Sequence, residues 1–137
     1  MFCSCERKDI SGISVGDILL GLERAAGFSA SVKEDIRSKE TAERYGIITK
    51  NIKEGIVSCD PGGGKIIVII AKNDKSVLKI EKALSAEKLR LIDAFENNSA
   101  QTENARNIII KTKGRYCLFI FSDNPRNAEA TFDSIVS

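Results

Sequence analysis

The chain has 137 residues, 42% hydrophobic and 29% charged, with 21 basic against 19 acidic side chains. That composition describes one globular domain, neither disordered nor fibrous, and its near-even charge sets up no global field that would recruit nucleic acid. Histidine is absent, which removes Ser-His-Asp and Cys-His nucleophile activation and most zinc and non-haem iron sites. Tryptophan is also absent and there are two tyrosines, so stacking-based recognition of sugars or bases has little to work with. The longest wholly apolar run, Ile66 to Ala71, falls far short of the ~20 residues that cross a bilayer.

In chain order, residues 1–13 are polar and read as a tether, and residues 14–137 as a single α+β domain. Ser14-Val15-Gly16-Asp17 has the form of a capping box. Ile18, Leu19, Leu22, Ala25 and Ala26 follow at helical spacing, with Gly27 as the stop and Phe28 folding back on the last turn. Ser31-Val32-Lys33-Glu34 repeats the box and predicts a second, mostly polar helix ending at Tyr45-Gly46. The period then changes. The β-rich runs 54–59 and 65–72, separated by Asp60-Pro61-Gly62-Gly63-Gly64, predict a hairpin.

A long helix is expected over 74–98 with Asp74 as N-cap. Its buried stripe would be Val77, Ile80, Leu84, Leu91, Ile92 and Phe95. The apolar period is imperfect over 86–89, which leaves room for a break or bend. The lysines of this region are interleaved with Asp74, Glu81 and Glu87, as on a solvated helix face. Runs 107–112 and 115–121 predict a second hairpin around Lys113-Gly114. A last helix opens at Ser122 or Asp123, takes Pro125 in its first turn, and buries Ala128, Phe132, Ile135 and Val136. The order αα-ββ-α-ββ-α implies a four-stranded, mainly antiparallel sheet packed against helices. Its two middle strands are apolar on both faces, so both faces need cover, and the first two helices are the expected cover for the second.

Motifs that could carry chemistry are few. The run Asp60 to Lys65 resembles a phosphate cradle, but a P-loop leads from strand into helix and here a strand follows, so a hairpin turn is expected. Cys59 and Cys117 lie in apolar strands and read as small buried hydrophobes. A disulfide between them is the alternative and needs neighbouring strands with Cα atoms within ~7 Å. A reactive thiol is the weakest reading, since neither has an adjacent base or helix N-terminus to lower its pKa. Cys3 and Cys5 cannot complete a tetrahedral metal site. Phe2-Cys3-Ser4-Cys5 is a degenerate match to a bacterial lipobox: Ser4 suits the small position and Phe2 suits the bulky one poorly. Ser38-Lys39 is the nearest thing to a Ser-Lys pair and lies on exposed helix, without an SxxK pattern. No catalytic residue, cofactor site or metal site emerges.

Val15-Gly16-Asp17-Ile18-Leu19 close behind an N-terminal cysteine, Tyr45-Gly46-Ile47, the strand 66–71 running into a charged helix, and above all Ile108-Ile109-Ile110-Lys111-Thr112-Lys113-Gly114-Arg115-Tyr116 carry a resemblance. Over about residues 14–136 the chain resembles a group of small, uncharacterised Gram-positive lipoproteins defined by a domain of unknown function. The resemblance implies lipid attachment at Cys5, with Glu6 to Ile13 as linker. The chain departs from the group's pattern in that no basic n-region and apolar h-region stand before its cysteines. The expectation is a lipid-anchored, extracytoplasmic accessory or binding module without catalysis, touching the membrane by its anchor only. Its ligand, unknown, would use the sheet edge or the surface beside the second helix. A cytosolic interaction domain with reduced thiols is the alternative, and a histidine-free hydrolase a third reading.

Overall fold

The computed structural model describes residues 13–136. Its elements are α1 (Val15–Ala26), β1 (Val32–Asp35), α2 (Lys39–Arg44), a 3-10 turn (Thr49–Asn51), β2 (Ile52–Cys59), β3 (Lys65–Ala71), α3 (Asp74–Ala94), α4 (Ser99–Arg106), β4 (Ile109–Lys113), β5 (Tyr116–Phe121) and α5 (Pro125–Ile135). The strands form one five-stranded sheet in the order β1-β2-β3-β5-β4, antiparallel at every pairing.

The two central strands explain the layering. Every residue of β5, and every residue of β3 after Lys65, is buried. Side chains alternate across a strand, so two separate apolar faces result. Ile66, Val68, Ile70, Leu118 and Ile120 join α1 and α5 in one core, with Phe132 fully buried at its centre. Ile67, Ile69, Cys117, Phe119 and Phe121 form the other core with Ile80, Leu84 and Leu91 of α3 and with Tyr45 and Ile47 after α2. Each large side chain so buried contributes ~1.5–3 kcal/mol relative to exposure. The expectation that both faces are covered holds, but α1 shares its face with α5, and α2 lies on the other.

Several further expectations are corrected. The second helix does not start at Ser31. Residues 32–35 instead pair with 56–59 of β2 and add a fifth strand to the sheet. The Ser31 hydroxyl, read as a helix cap, donates to Glu23 of α1, and Ser38 caps the shorter α2, its Oγ accepting from the Thr41 N–H. Ile36 is drawn fully into the core beside Gly55. There a Cβ would lie 2.3 Å from the Ile36 side chain, so the strand requires glycine at that close approach. The long helix forms as α3 and ends at Ala94, with Asn73, not Asp74, as its cap. The stretch beyond it, given no element by the sequence pattern, forms a short helix, α4, capped by Asn98. The Thr102 hydroxyl donates to the Phe95 carbonyl, holding the corner between them.

No break occurs at 86–89. The apolar period falters there because Glu87 occupies the buried stripe. Both hairpins form as expected, although β2 begins at Ile52 and β4 at Ile109. The turn between β4 and β5 places Gly114 at φ 61°, left-handed backbone that favours glycine. At α5, neither Ser122 nor Asp123 is the cap residue. Asn124 is, and its side chain makes no capping bond.

Candidate functional site

The sheet has two distinct ends. At one, the chain enters the domain: Tyr116 Oη donates to the Ile13 carbonyl at 3.2 Å, and the Val15 N–H donates to Glu54 Oε1 at 2.8 Å. The β4–β5 turn, the end of β3 and the 3-10 turn meet at this same end, where the Ala71 N–H donates to the Arg115 carbonyl and the Lys72 N–H to the Asn51 carbonyl. At the other end β5 passes into α5 and α4 passes into β4.

This second end carries a polar groove of about 530 Å³, a volume within the range of small-molecule sites. Lys88, Arg106 and Arg126 supply cationic groups to it, Asn104, Asn107 and Asn124 supply amides, and Asp123 is its carboxylate. The Lys88 ammonium is positioned by donating to the Ile108 carbonyl at 2.9 Å. The Asn104 amide donates to Asp123 at 2.5 Å, and Arg126 pairs with Glu129 at 3.0 Å. Arg106 makes no ion pair among the described residues and is exposed. The first turn of α5 opens here without a side-chain cap. Three cations against one engaged carboxylate suit an anionic, hydrogen-bonding ligand.

Two buried carboxylates lie elsewhere, and each joins a helix to the sheet. Glu87 of α3 accepts from Lys65 of β3 at 2.8 Å and bidentately from Arg90, while the Lys65 ammonium sits 4.8 Å from the Tyr45 ring centre. Desolvation pushes the Glu87 carboxyl up, but the hydrogen bonds from Arg90 and Lys65 outweigh it and hold the group below its ordinary range. On the opposite face Glu23 of α1 accepts from the hydroxyls of Ser31 and Ser58, with the Lys33 ammonium at 3.5 Å. Both serine hydroxyls are committed as donors to this carboxylate, so the group acts as a polar pin between helix and sheet. Sequence periodicity contains the signal for both acids: Glu23 lies four residues beyond Leu19, and Glu87 three beyond Leu84, each on its helix's apolar stripe.

The residues singled out from sequence are not brought together. Cys3 and Cys5, with residues 1–12 of the expected tether, lie outside the described residues. The stretch Asp60 to Lys65 is a hairpin turn. Asp60 Oδ1 accepts from the Ser29 and Ala30 N–H groups and Oδ2 from the Gly62 N–H, so its acceptors serve the chain itself. Cys59 on β2 and Cys117 on β5 are separated by β3 and both are free, which closes the disulfide alternative. Burial pushes the Cys117 thiol up to about 12 and raises that of Cys59 too, against the lowering effect of Lys65. Ser38 is a helix cap. Hollows of about 360 and 430 Å³ lie along the β1 edge and beside α2, where a ligand was expected. Both are more open than the groove, which sequence reasoning missed because it placed no element over residues 99–106, where α4 forms.

A family described as a domain of unknown function (DUF4358) matches residues 28–122. The matched span runs from ahead of β1 to the end of β5, so α1 and α5, the layer on one face, flank it. No curated protein and no solved structure matches the chain.

Proposed function

The chain belongs to the DUF4358 family, and from that premise we propose that it is a lipid-anchored, extracytoplasmic binding module without catalysis of its own. The observation that carries the reading is the placement of the polar groove at the end of the sheet opposite the one where the chain enters. Acyl chains on Cys5 would contribute ~0.8 kcal/mol per buried methylene, and two or more chains make such an anchor stable. Residues 6–12, fully extended, reach at most about 25 Å. A domain held on that leash offers its far end outward, with Arg106, Arg126, Lys88 and the neighbouring amides as the binding surface for a small anionic ligand. The resemblance to Gram-positive lipoproteins supports the address, and the absence of histidine together with two thiols raised by burial, Cys117 fully buried and Cys59 half-buried, supports a binding role over hydrolysis.

The test is the intact mass of the N-terminal peptide from native cells, with the upstream reading frame untouched. A diacylglyceryl adduct on Cys5 is expected, with everything ahead of it removed. An unmodified peptide beginning at Met1 refutes the anchor. That second result would favour a cytosolic interaction domain, a reading that the free state of Cys59 and Cys117 also suits.

A further inference from the structure

The end of the sheet where the chain enters has a charge of its own. Six basic residues gather there: Lys50 and Lys53 around the 3-10 turn, Lys72 after β3 and Lys75 in the first turn of α3, and Lys113 and Arg115 at the β4–β5 turn. All but Lys113 are exposed. The acids at this end are few and mostly engaged. Glu54 accepts the Val15 N–H, Asp74 pairs with Arg115 at 3.2 Å, Asp133 pairs with Lys113 at 3.6 Å, and Asp17 lies in the first turn of α1. Six basic residues against these four acids leave this one end a basic excess of two, equal to the net charge of +2 of the whole chain. Ile48, 58% exposed, stands at the head of the same 3-10 turn, where its carbonyl accepts the Asn51 N–H. An exposed aliphatic side chain among lysines is the combination that settles onto a headgroup layer.

We propose that this end is a docking surface for an anionic phospholipid bilayer. For its orientation the inference rests on the anchored reading, because a leash of at most ~25 Å holds this end close to the surface. There a negative surface potential acts within a Debye length of ~8 Å. The tether makes docking intramolecular, so a weak intrinsic affinity suffices. Ile48 adds an apolar contact, and the basic side chains supply selectivity for charged lipid. Docking by this end turns the Arg106 groove away from the membrane and converts a loose leash into a defined orientation.

The experiment uses the full chain carrying Cys3→Ser and Cys5→Ser, so that no acyl chain contributes. Co-sedimentation is measured with phosphatidylcholine vesicles, alone and containing about one-third phosphatidylglycerol. Selective binding to the anionic vesicles is expected, weakening as salt rises. Lys50→Gln with Lys72→Gln should cost about 25-fold, near fivefold per charge. Arg106→Gln with Arg126→Gln, an equal change of net charge at the far end, should cost less than about threefold. All four side chains are exposed, and thermal melts verify that both variants fold. Equal losses in the two double variants, or no preference of the unsubstituted surface for anionic vesicles, overturn the proposal. Because no lipidation is involved, a failed anchor in the mass measurement leaves this result independent.

Discussion

Replacing Glu87 by alanine should be among the most damaging single changes in the domain, and its cost can be worked from the structure. The Glu87 side chain is 4% exposed and binds Lys65 and Arg90, whose side chains are 14% and 59% exposed. After truncation the Arg90 guanidinium rehydrates with little loss. The Lys65 ammonium cannot, because strand β3 and the Tyr45 ring enclose it. Removing one partner of a buried pair costs roughly 3–5 kcal/mol, and the partial exposure of Lys65 and its contact with Tyr45 place this case at the lower limit, ~3 kcal/mol. With a urea slope near ~2 kcal/mol/M for a domain of this size, the midpoint followed by far-UV circular dichroism should fall by about 1.5 M. Lys65→Met combined with Glu87→Leu should recover most of that loss, since an apolar pair of similar volume removes both desolvation penalties. A loss below ~1 kcal/mol in Glu87→Ala, or additive effects of the two positions in a double-mutant cycle, would refute the reasoning.

The same cluster sets a pH window. Glu87 is held below its ordinary 4.5, so its contribution is complete above that value and is lost as pH falls through the lowered one. Lys65 is driven down by desolvation but raised further by Glu87 and Tyr45, ending above its ordinary 10.5. Its contribution is complete below 10.5 and is lost as pH rises through the higher value. Stability across the plateau between them should therefore be less pH-dependent in the Met/Leu variant at both margins.

Gly55→Ala should destabilise by about 1–3 kcal/mol through overpacking against Ile36 Cγ2, read as a lower urea midpoint. A companion Ile36→Ala, which removes that methyl, would argue against the contact if it left the added loss unchanged. Gly114→Val forces a β-branched residue to φ 61° and should cost ~1–2 kcal/mol; an unchanged melting temperature would count against the turn. In a background lacking Cys3 and Cys5, Cys117 should resist an aromatic disulfide reagent at pH 8 until the protein unfolds, because its thiol is buried and titrates near 12. Rapid labelling of Cys117 in the native state would contradict its burial.

What was legible in the sequence were the elements whose signal is local. The runs 65–72 and 115–121 alternate into two apolar faces, and the glycine-bearing turns between apolar runs set both hairpins, so the centre of the sheet follows from pattern alone. Residues 31–35 were illegible because their local chemistry is that of a helix start. Ser31 is spaced correctly from Glu34 for a capping box, and only the tertiary pull of Ser58 and Glu23 on one side and Gly55 on the other turns the segment into an edge strand. Asn97-Asn98-Ser99 is equally ambiguous: an amide pair that ends one helix is also an N-cap for the next, and apolar periodicity is too sparse in 99–106 to decide. The groove depends on that second helix, so it was invisible for the same reason.

The two buried acids bear on a different question, which apolar burial leaves open. A sheet with Ile, Val, Leu and Phe on both faces dictates that helices cover it, yet such surfaces are nearly equivalent under a shift of one helical turn. A carboxylate placed on the buried stripe is satisfied at one position only: Glu23 where Ser31 and Ser58 converge, Glu87 where Lys65 emerges from the strand beneath Tyr45. Shifted by about 5.4 Å, one turn, either would lie unpaired in hydrocarbon at a cost of several kcal/mol. The same two residues that spoil the apolar period therefore select one alignment of α1 and of α3 on the sheet. That alignment in turn fixes which side chains reach the groove at one end and which lysines ring the point where the chain enters at the other.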